Sequence, residues 1–312
     1  MSGQDTKMKD HPMSRTASAN VARQGEQLEN ISPPKGLIKG SVHTVRAILD
    51  RRDLLRLLVQ REFKARYKDS SLGVFWSLLR PLAMLLIYYI AVGKFLGAER
   101  NIPNFAIYVF AGLTAWTLFS EIVSSGTGSI VNNAGLIKKV DLPREIFPLS
   151  AIGTALINFG IQFVVLLAAT LILGSPPHLE SLWLVPASVL VMTTYALGIS
   201  LLLSAWNVYL RDIQHLVDIA LMVLFWASPI VYSYAMVHKL LQGGILEQIF
   251  LANPVTPAIL AFQKGMWSSS TVLEYPPDLG WRLLITFIAS LVLVAIGQRV
   301  FSRLEGNFAQ EL

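Results

Sequence analysis

The sequence predicts an all-α membrane protein with six transmembrane helices, an amphipathic interface helix before the first, and re-entrant helices before the last. Three observations predict this fold class. The 312 residues are 53% hydrophobic and only 15% charged, apolar runs long enough to cross a bilayer recur along the chain, and Lys and Arg favour one side of those runs. A soluble domain of this length would spread charge along its helices, so the composition excludes a soluble globular protein.

The N-terminal region divides into two predicted parts. Residues 1–45 are polar and include the Pro33-Pro34 pair before any apolar run, which predicts a disordered cytoplasmic tail and no cleavable signal peptide. Residues 46–67 predict an amphipathic helix, because Leu55 and Leu58 fall on one side at helical spacing and Arg61 and Lys64 fall opposite. This helix is expected either to lie along the membrane surface or to act only as a basic flank that orients the protein.

Six apolar segments are each long enough to cross about 30 Å of hydrocarbon at about 1.5 Å per residue. They are residues 72–97, 105–124, 146–173, 182–205, 214–236 and 281–301. The predicted inside segments hold 20 of the 26 Lys and Arg residues and the predicted outside loops hold four. This bias predicts a multi-pass protein of the cytoplasmic (inner or plasma) membrane with both termini in the cytoplasm.

The stretch 245–267 is apolar but differs from these six segments. It contains Glu247, Gln263 and Lys264, which a lipid-facing helix would leave unsatisfied in hydrocarbon. Two short re-entrant helices broken at Asn253-Pro254 fit this pattern better, since irregular backbone is tolerated where protein or a water-filled cavity surrounds it. The sequence therefore predicts a transmembrane domain over residues 72–303 with these re-entrant helices inside it, followed by a cytoplasmic tail over 304–312.

The motifs of common enzymes are absent from the sequence. The chain has no Cys and its five His residues are scattered, which leaves neither a thiolate nor a clustered set of metal ligands. There is no G-x-x-x-x-G-K-[ST] phosphate loop, no H-E-x-x-H, no G-x-S-x-G and no D-x-D. We therefore expect no catalytic residue, no metal and no cofactor in this chain.

Five loop motifs occur in order along the chain. They are residues 67–73 (YKDSSLG), 129–144 (SIVNNAGLIKKVDLPR), 211–212 (RD), 228–232 (SPIVY) and 253–257 (NPVTP). Over residues 46–312 this order resembles the permease subunits of ABC-2-type polysaccharide exporters, the family of O-antigen, teichoic-acid and galactan exporters. The resemblance implies an ABC-2 (type V exporter) transmembrane domain, a homodimer, and two copies of a separate ABC ATPase subunit that bind ATP and Mg²⁺. It implies membrane lipid and a polyprenyl diphosphate-linked glycan as further partners, and no nucleic acid.

The resemblance also assigns residues to the ATPase contact. The loop 129–144 corresponds to a coupling helix that seats in the ATPase, and residues 206–212 correspond to a second contact. The assigned residues are Asn132, Asn133, Leu136, Ile137, Lys138, Lys139, Arg211 and Asp212. The alternative is an ordinary basic loop that only orients the protein.

A basic cluster next to the first span is the predicted site for the lipid headgroup. The resemblance places the diphosphate near Lys64, Arg66, Lys68, Leu72 and Gly73, whereas bulk attraction to anionic lipid, about 1 kcal/mol per basic residue, is the alternative. Arg80 lies about eight residues into the span, roughly 12 Å deep at helical rise. It is expected either to face the translocation path or to snorkel toward the cytoplasm.

The remaining assignments concern the path and its outer gate. Aromatic rings stack on sugar faces, so the predicted path residues are Tyr88, Trp116, Phe119, Trp226 and Tyr232, with an aromatic belt at the membrane interface as the alternative. Asn253, Pro254 and Pro257 are the predicted gate residues. Glu121 and Asp218 are expected to pair with neighbouring basic residues or to line the entrance.

Three functions are compatible with these patterns. The leading hypothesis is the export of a lipid-linked cell-envelope polysaccharide, powered by the partner ATPase. An ABC-2 permease for a small drug or lipid would have the same architecture but an apolar pocket. A membrane-embedded glycosyltransferase would need an acidic catalytic pair at the membrane face, and the sequence shows no such pair.

Overall fold

A computed structural model describes residues 52–68, 70, 73–100, 102–140, 142–267 and 275–312. The predicted tail 1–45, the first residues of the predicted amphipathic helix and Leu72 lie outside the described residues. All regular secondary structure among the described residues is helical, which confirms the predicted fold class. Its helices in chain order are α1 (Arg52–Arg66), α2 (Trp76–Tyr88), α3 (Phe105–Asn132), α4 (Ala134–Ile137), α5 (Ile146–Ile172), α6 (Leu184–Tyr209), α7 (Ile213–Trp226), α8 (Tyr234–Leu241), α9 (Ile245–Ala252), α10 (Val255–Met266), α11 (Leu279–Leu304) and α12 (Phe308–Glu311).

Five of these helices are long and apolar enough to cross a membrane: α3, α5, α6, α11, and α2 with the π-helical turn Tyr89–Phe95 that continues it. Helices α9 and α10 together make a sixth candidate, bent by 78°. The bend falls at Asn253-Pro254, where the predicted break lies. Asn253 has extended backbone with ψ 117°, the conformation that a following proline imposes.

The fifth predicted span, 214–236, is not one continuous helix. Helix α7 has 14 residues, about 21 Å at helical rise, and is shorter than the hydrocarbon of a bilayer. It ends at Trp226 because Pro229 follows, and a proline ring disfavours helical backbone in the residue before it. The chain runs without regular structure until α8 begins at Tyr234. This irregular segment, residues 228–233, is buried against the bundle except for partly exposed Tyr232.

Helix α3 lies at the centre of the bundle and is buried along most of its length. It packs against α5 and α6, and α6 packs in turn against α11. At the crossing of α6 and α11 the backbones approach so closely that a Cβ added at Gly297 would lie 2.6 Å from the carbonyl oxygen of Gly198. Such close approach at small residues is the usual way in which membrane helices associate.

The last eight residues are folded against the bundle. After α11 ends at Leu304, a 3₁₀ turn over Glu305–Asn307 leads into α12, and Phe308 has no exposed surface. We refer below to the end of the bundle that holds α1, α4 and α12 as the basal end. The end that holds α8, α9 and residues 228–233 is called the gate end.

Candidate functional site

Helix α1 packs on the basal end of α5 through both apolar and polar side chains. Leu58 is buried, and Val59 lies against Gly153, where an added Cβ would be 2.5 Å from Val59 Cγ2. The Ser150 hydroxyl donates a hydrogen bond to Glu62 Oε1 at 2.7 Å. Burial raises the pKa of the Glu62 carboxyl, and this hydrogen bond partly opposes the rise. The sequence pattern therefore identified the helix, but not the polar contacts that attach it to the bundle.

Arg66 of α1 forms an ion pair with Glu121 of α3. The Asn158 amide donates to Glu121 Oε1 at 2.6 Å, and the Tyr67 hydroxyl donates to Asn158 Oδ1 at 3.2 Å. The Glu121 side chain is only 13% exposed, so its charge depends on these donors. Of the two expectations for Glu121, the structure shows pairing with a basic residue. Asp218 is exposed on α7.

The other basic residues of the predicted headgroup site are exposed. Lys64 and Lys68 are exposed, and Arg80 is exposed on α2 directly before buried Pro81. Gly73 has a left-handed backbone with φ +51° and donates its N–H to the Ser70 hydroxyl at 3.2 Å. A residue with a Cβ would be strained there. Three cations of the predicted site are therefore exposed, whereas Arg66 already has an anionic partner.

The predicted coupling segment has an apolar side and a basic side. Asn133 is buried, accepts a hydrogen bond from Arg61 of α1, and donates its own amide to the Ser129 carbonyl at 2.9 Å. Ile137 is buried and Leu136 partly buried, whereas Asn132, Lys138 and Lys139 are exposed. The short helix α4 therefore rests on the bundle, and the two lysines that follow it are exposed on the basal surface.

The second predicted contact is also at the basal end. Trp206 is 43% exposed, and Arg211 and Asp212 are exposed in the turn between α6 and α7. Asn207 is buried and donates to the Thr127 carbonyl of α3 at 3.2 Å. Both segments that the sequence assigned to a partner thus expose charged side chains and are anchored by buried asparagines.

At the gate end, two of the sequence motifs meet in space. Asn253 at the break between α9 and α10 donates to the Ser228 hydroxyl at 3.2 Å. Gln263 of α10 donates to the Pro229 carbonyl at 3.1 Å, and the Tyr108 hydroxyl of α3 donates to the Tyr232 carbonyl at 2.9 Å. Carbonyls of the irregular segment 228–233 thus find donors in neighbouring helices. Pro254 is partly buried and Pro257 buried.

Three residues at this junction had no site role predicted from the sequence: Tyr108, Gly112 and Gln263. A Cβ on Gly112 would lie 2.7 Å from Gln263 Nε2 and 2.9 Å from the Ile230 carbonyl oxygen. Glycine at this position therefore lets α10 and the irregular segment approach α3. The available signal was the polar Gln263 in an otherwise apolar helix.

A buried carboxylate joins α8 and α9. Glu247 accepts hydrogen bonds from the Tyr234 hydroxyl, from the Gly243 N–H at 2.8 Å and from His238 Nδ1 at 2.9 Å. Its side chain is 3% exposed. The sequence analysis named Glu247 only as a polar residue unsuited to lipid and found no role for His238. These contacts explain how the short helix α9 tolerates an acidic residue.

The five predicted path aromatics fall into two groups. Trp116 is 9% exposed and Phe119 has no exposed surface, so within one chain they belong to the core. Trp226 is 57% exposed, and Tyr88 and Tyr232 are partly exposed. Phe225, which the sequence analysis did not select for the path, connects the groups, with ring centroids 5.6 Å from Trp116 and 5.8 Å from Tyr88.

Residues 53–267, which include nearly all of α1 and every helix through α10, match the family model of the ABC-2 type transporter. The chain belongs to the ABC-2 type transporter family. The O-antigen export system permease protein RfbA of Myxococcus xanthus is 30% identical over 272 residues, covering 87% of this chain and 100% of that protein. RfbA of Klebsiella pneumoniae is 28% identical over 260 residues, covering 83% and 95%. The polysialic acid transport protein KpsM of Escherichia coli is 25% identical over 242 residues, covering 76% and 90%. This ABC-2 type chain thus aligns with permeases over nearly their full length.

Proposed function

We propose that this chain is the permease subunit of an exporter for a lipid-linked cell-envelope polysaccharide. The observation that carries the proposal is the near full-length match to proteins named as O-antigen export permeases. No phosphate loop occurs in the sequence, and in the proposal ATP hydrolysis by a separate subunit supplies the energy for transport. In the proposed complex, two copies of the chain form a homodimer and two copies of an ABC ATPase subunit bind and hydrolyse ATP with Mg²⁺.

The basal surface is the proposed docking site for the ATPase. Charged side chains are exposed there directly after helix α4, at Lys138 and Lys139, and in the turn at Arg211 and Asp212, and both segments stand on buried residues. A rigid element with an exposed charged side can transmit a push from a soluble partner into the bundle. Arg61 connects α4 to α1 through Asn133, so movement of α4 would also reach the interface helix.

The basic cluster beside α1 is the proposed docking site for the polyprenyl diphosphate. Lys64 and Lys68 are exposed, and Gly73 lets the backbone approach a headgroup closely. Arg66 is held by Glu121, so it contributes to phosphate binding only when that ion pair opens. Leu72 completes this cluster in the proposal, and Arg80 would face the path one to two helical turns deeper.

The gate end is the proposed exit. Helix α9 and the irregular segment 228–233 close over the bundle through hydrogen bonds from Asn253, Gln263 and Tyr108. Buried Ile230 and Val231 also pack this segment against the main core, so in the proposal opening exchanges both these hydrogen bonds and this apolar packing. Tyr88, Trp226 and Tyr232 have accessible ring surface on which sugars would stack. Trp116 and Phe119 would support these rings from within the core.

The same proposal fixes the membrane orientation: the chain spans a bacterial-type cytoplasmic membrane, and its basal end faces the cytoplasm. The chain contains no Cys, so single Cys substitutions can be labelled without further engineering. Cys at Lys139 should react with a membrane-impermeant maleimide only in inverted vesicles, and Cys at Lys239 only in intact cells. Reaction of both from the same side would refute this orientation.

Depletion of the chain in the source organism tests the function directly. The expected result is that polyprenyl diphosphate-linked glycan accumulates inside the cell while surface glycan falls. Loss of glycan synthesis would favour a glycosyltransferase, and an unchanged glycan with increased drug sensitivity would favour small-molecule efflux. An ATPase-dead variant of the partner should reproduce the depletion result.

A further inference from the structure

The C-terminal segment, residues 305–312, is built into the basal end of the bundle. Phe308 has no exposed surface, and its ring centroid lies 5.3 Å from that of Phe301. Both belong to a second hydrophobic cluster, separate from the main core, which we call the basal core. It includes Leu58, Ile137, Phe147, Val208, Phe301 and Phe308. The basal core thus joins α1, α4, α5, α6, α11 and α12.

The segment contacts both of the loops that are proposed to dock the ATPase. On one side, the Arg144 guanidinium, at the end of the coupling segment, lies 5.8 Å from the centre of the Phe308 ring. On the other side, Tyr209, which precedes the turn at Arg211, lies 6.4 Å from the Phe308 ring, centroid to centroid. The Tyr209 hydroxyl also donates to the Leu304 carbonyl at 3.1 Å. One side chain therefore lies between the two loops.

A second contact attaches the same loop to α11. Glu145, the residue after Arg144, is buried, and Gln298 of α11 donates to its carboxylate at 3.5 Å. Burial raises the pKa of the Glu145 carboxyl. The start of α5 is thus held from two directions, by Gln298 and by Phe308.

These contacts would be unnecessary in a simple polar tail. A buried aromatic ring touching both loops limits how far each can move without the other, because a packed core has few alternative arrangements. We infer that residues 305–312 are a positioning element that holds the coupling segment and the Arg211 turn at a fixed separation through Phe308. This inference rests on the proposed function, because it assigns the fixed separation to docking of the ATPase.

A spectroscopic experiment on the purified full-length chain tests the positioning role without the ATPase. Spin labels are attached to Lys139→Cys and Asp212→Cys in the Cys-free chain, and labelled chains are diluted with unlabelled ones so that only distances within one chain are measured. We expect a narrow distance distribution that becomes at least twofold broader in Phe308→Ala. Phe105→Ala, which removes a comparably buried ring from the start of α3, is the matched control and should leave the distribution unchanged.

The second measurement uses the complex of the chain with its ATPase subunit. We expect Phe308→Ala to lower the glycan exported per ATP hydrolysed by roughly fivefold, normalised to assembled complex, while Phe105→Ala changes this ratio less than twofold. If Phe308→Ala does not fold, Phe308→Leu keeps an apolar side chain and removes the ring, and it should still broaden the distribution. An unchanged distribution and unchanged export per ATP in the folded variant would overturn the inference. Failure of the unsubstituted chain to bind the ATPase would instead refute the proposed function.

Discussion

Gly112 of the central helix is expected not to tolerate a methyl group. Alanine there would place its Cβ 2.9 Å from the Ile230 carbonyl oxygen and 2.7 Å from Gln263 Nε2, whereas ordinary contact begins at 3.4 Å. The Gln263 side chain can shift, but the Ile230 backbone belongs to a segment held by hydrogen bonds from three neighbours. We therefore expect Gly112→Ala to displace this segment from α3.

The size of the effect follows from two contributions. Overpacking a buried site costs about 1–3 kcal/mol. Moving the Gln263 amide away from the Pro229 carbonyl leaves buried polar groups unpaired, at about 1–3 kcal/mol. The free energy of unfolding should thus fall by about 2–6 kcal/mol. At roughly 2–4 °C per kcal/mol, the thermal midpoint should fall by at least about 4 °C.

The assay is thermal unfolding of the purified protein in detergent, with glycan export measured in parallel. Gly160→Ala is the matched control, because Gly160 lies in α5 with nothing within 4 Å of an added Cβ. That control should be neutral or stabilising by up to about 1 kcal/mol. The double variant Gly112→Ala/Gln263→Ala should show strong non-additivity, because the two residues share one contact. A midpoint for Gly112→Ala equal to that of Gly160→Ala would refute the reasoning.

Three further substitutions test other parts of the structure. Glu121→Gln should lower the free energy of unfolding by about 1–3 kcal/mol, between the values for exposed and buried ion pairs, because Arg66 loses its anionic partner. Glu62→Gln should gain thermal stability relative to the unsubstituted chain as pH rises from about 4 to about 8, because the raised pKa of Glu62 means that its ionised form is disfavoured in the folded state. Gly297→Ala should lower the free energy of unfolding by about 1–3 kcal/mol, because its Cβ would meet the Gly198 carbonyl oxygen at 2.6 Å.

Each of these substitutions has a control that isolates its cause. Combining Glu121→Gln with Arg66→Gln should cost less than the sum of the two single changes, and additivity would show that no ion pair forms. The thermal midpoint of Glu62→Gln minus that of the unsubstituted chain must become more positive as pH rises. A value that does not change with pH would contradict burial of this carboxyl. For Gly297→Ala, the exposed Gly280 at the start of α11 has nothing within 4 Å of an added Cβ and supplies the comparison.

Some features of the gate end could be predicted locally, whereas their contacts could not. The break at Asn253-Pro254 was predictable because proline has no N–H and restricts the residue before it. The end of α7 at Trp226 depends on the same effect at Pro229, yet the apolar run 214–236 suggested one long helix. The polar Gln263 was visible in an apolar stretch, but it and Tyr108 lie far in sequence from the irregular backbone, so no local pattern indicated which carbonyls they bind.

At the basal end, too, the residue types could be recognised from the sequence but their contacts could not. The basic cluster before the first span was visible in the sequence, but the partner of Arg66 is 55 residues away. Phe308 follows the polar stretch Glu305, Gly306 and Asn307, which is typical of a tail. A single apolar residue has no periodicity, and only its burial between Arg144 and Tyr209 shows that the segment is part of the basal core.

The sequence alone determined the all-helical membrane fold, the positions of most spans and the broken pair α9 and α10. Hydrophobic length, proline stereochemistry and the distribution of charge act locally, so each can be recognised in a short stretch of chain. The tertiary structure decided which polar groups pair with one another, such as Arg66 with Glu121 and Gln263 with the Pro229 carbonyl. It also decided that the apolar ring of Phe308 packs between the two basal loops. These pairings join residues distant in sequence, and burial makes the exact partner decisive, because an unpaired polar group in the interior is costly.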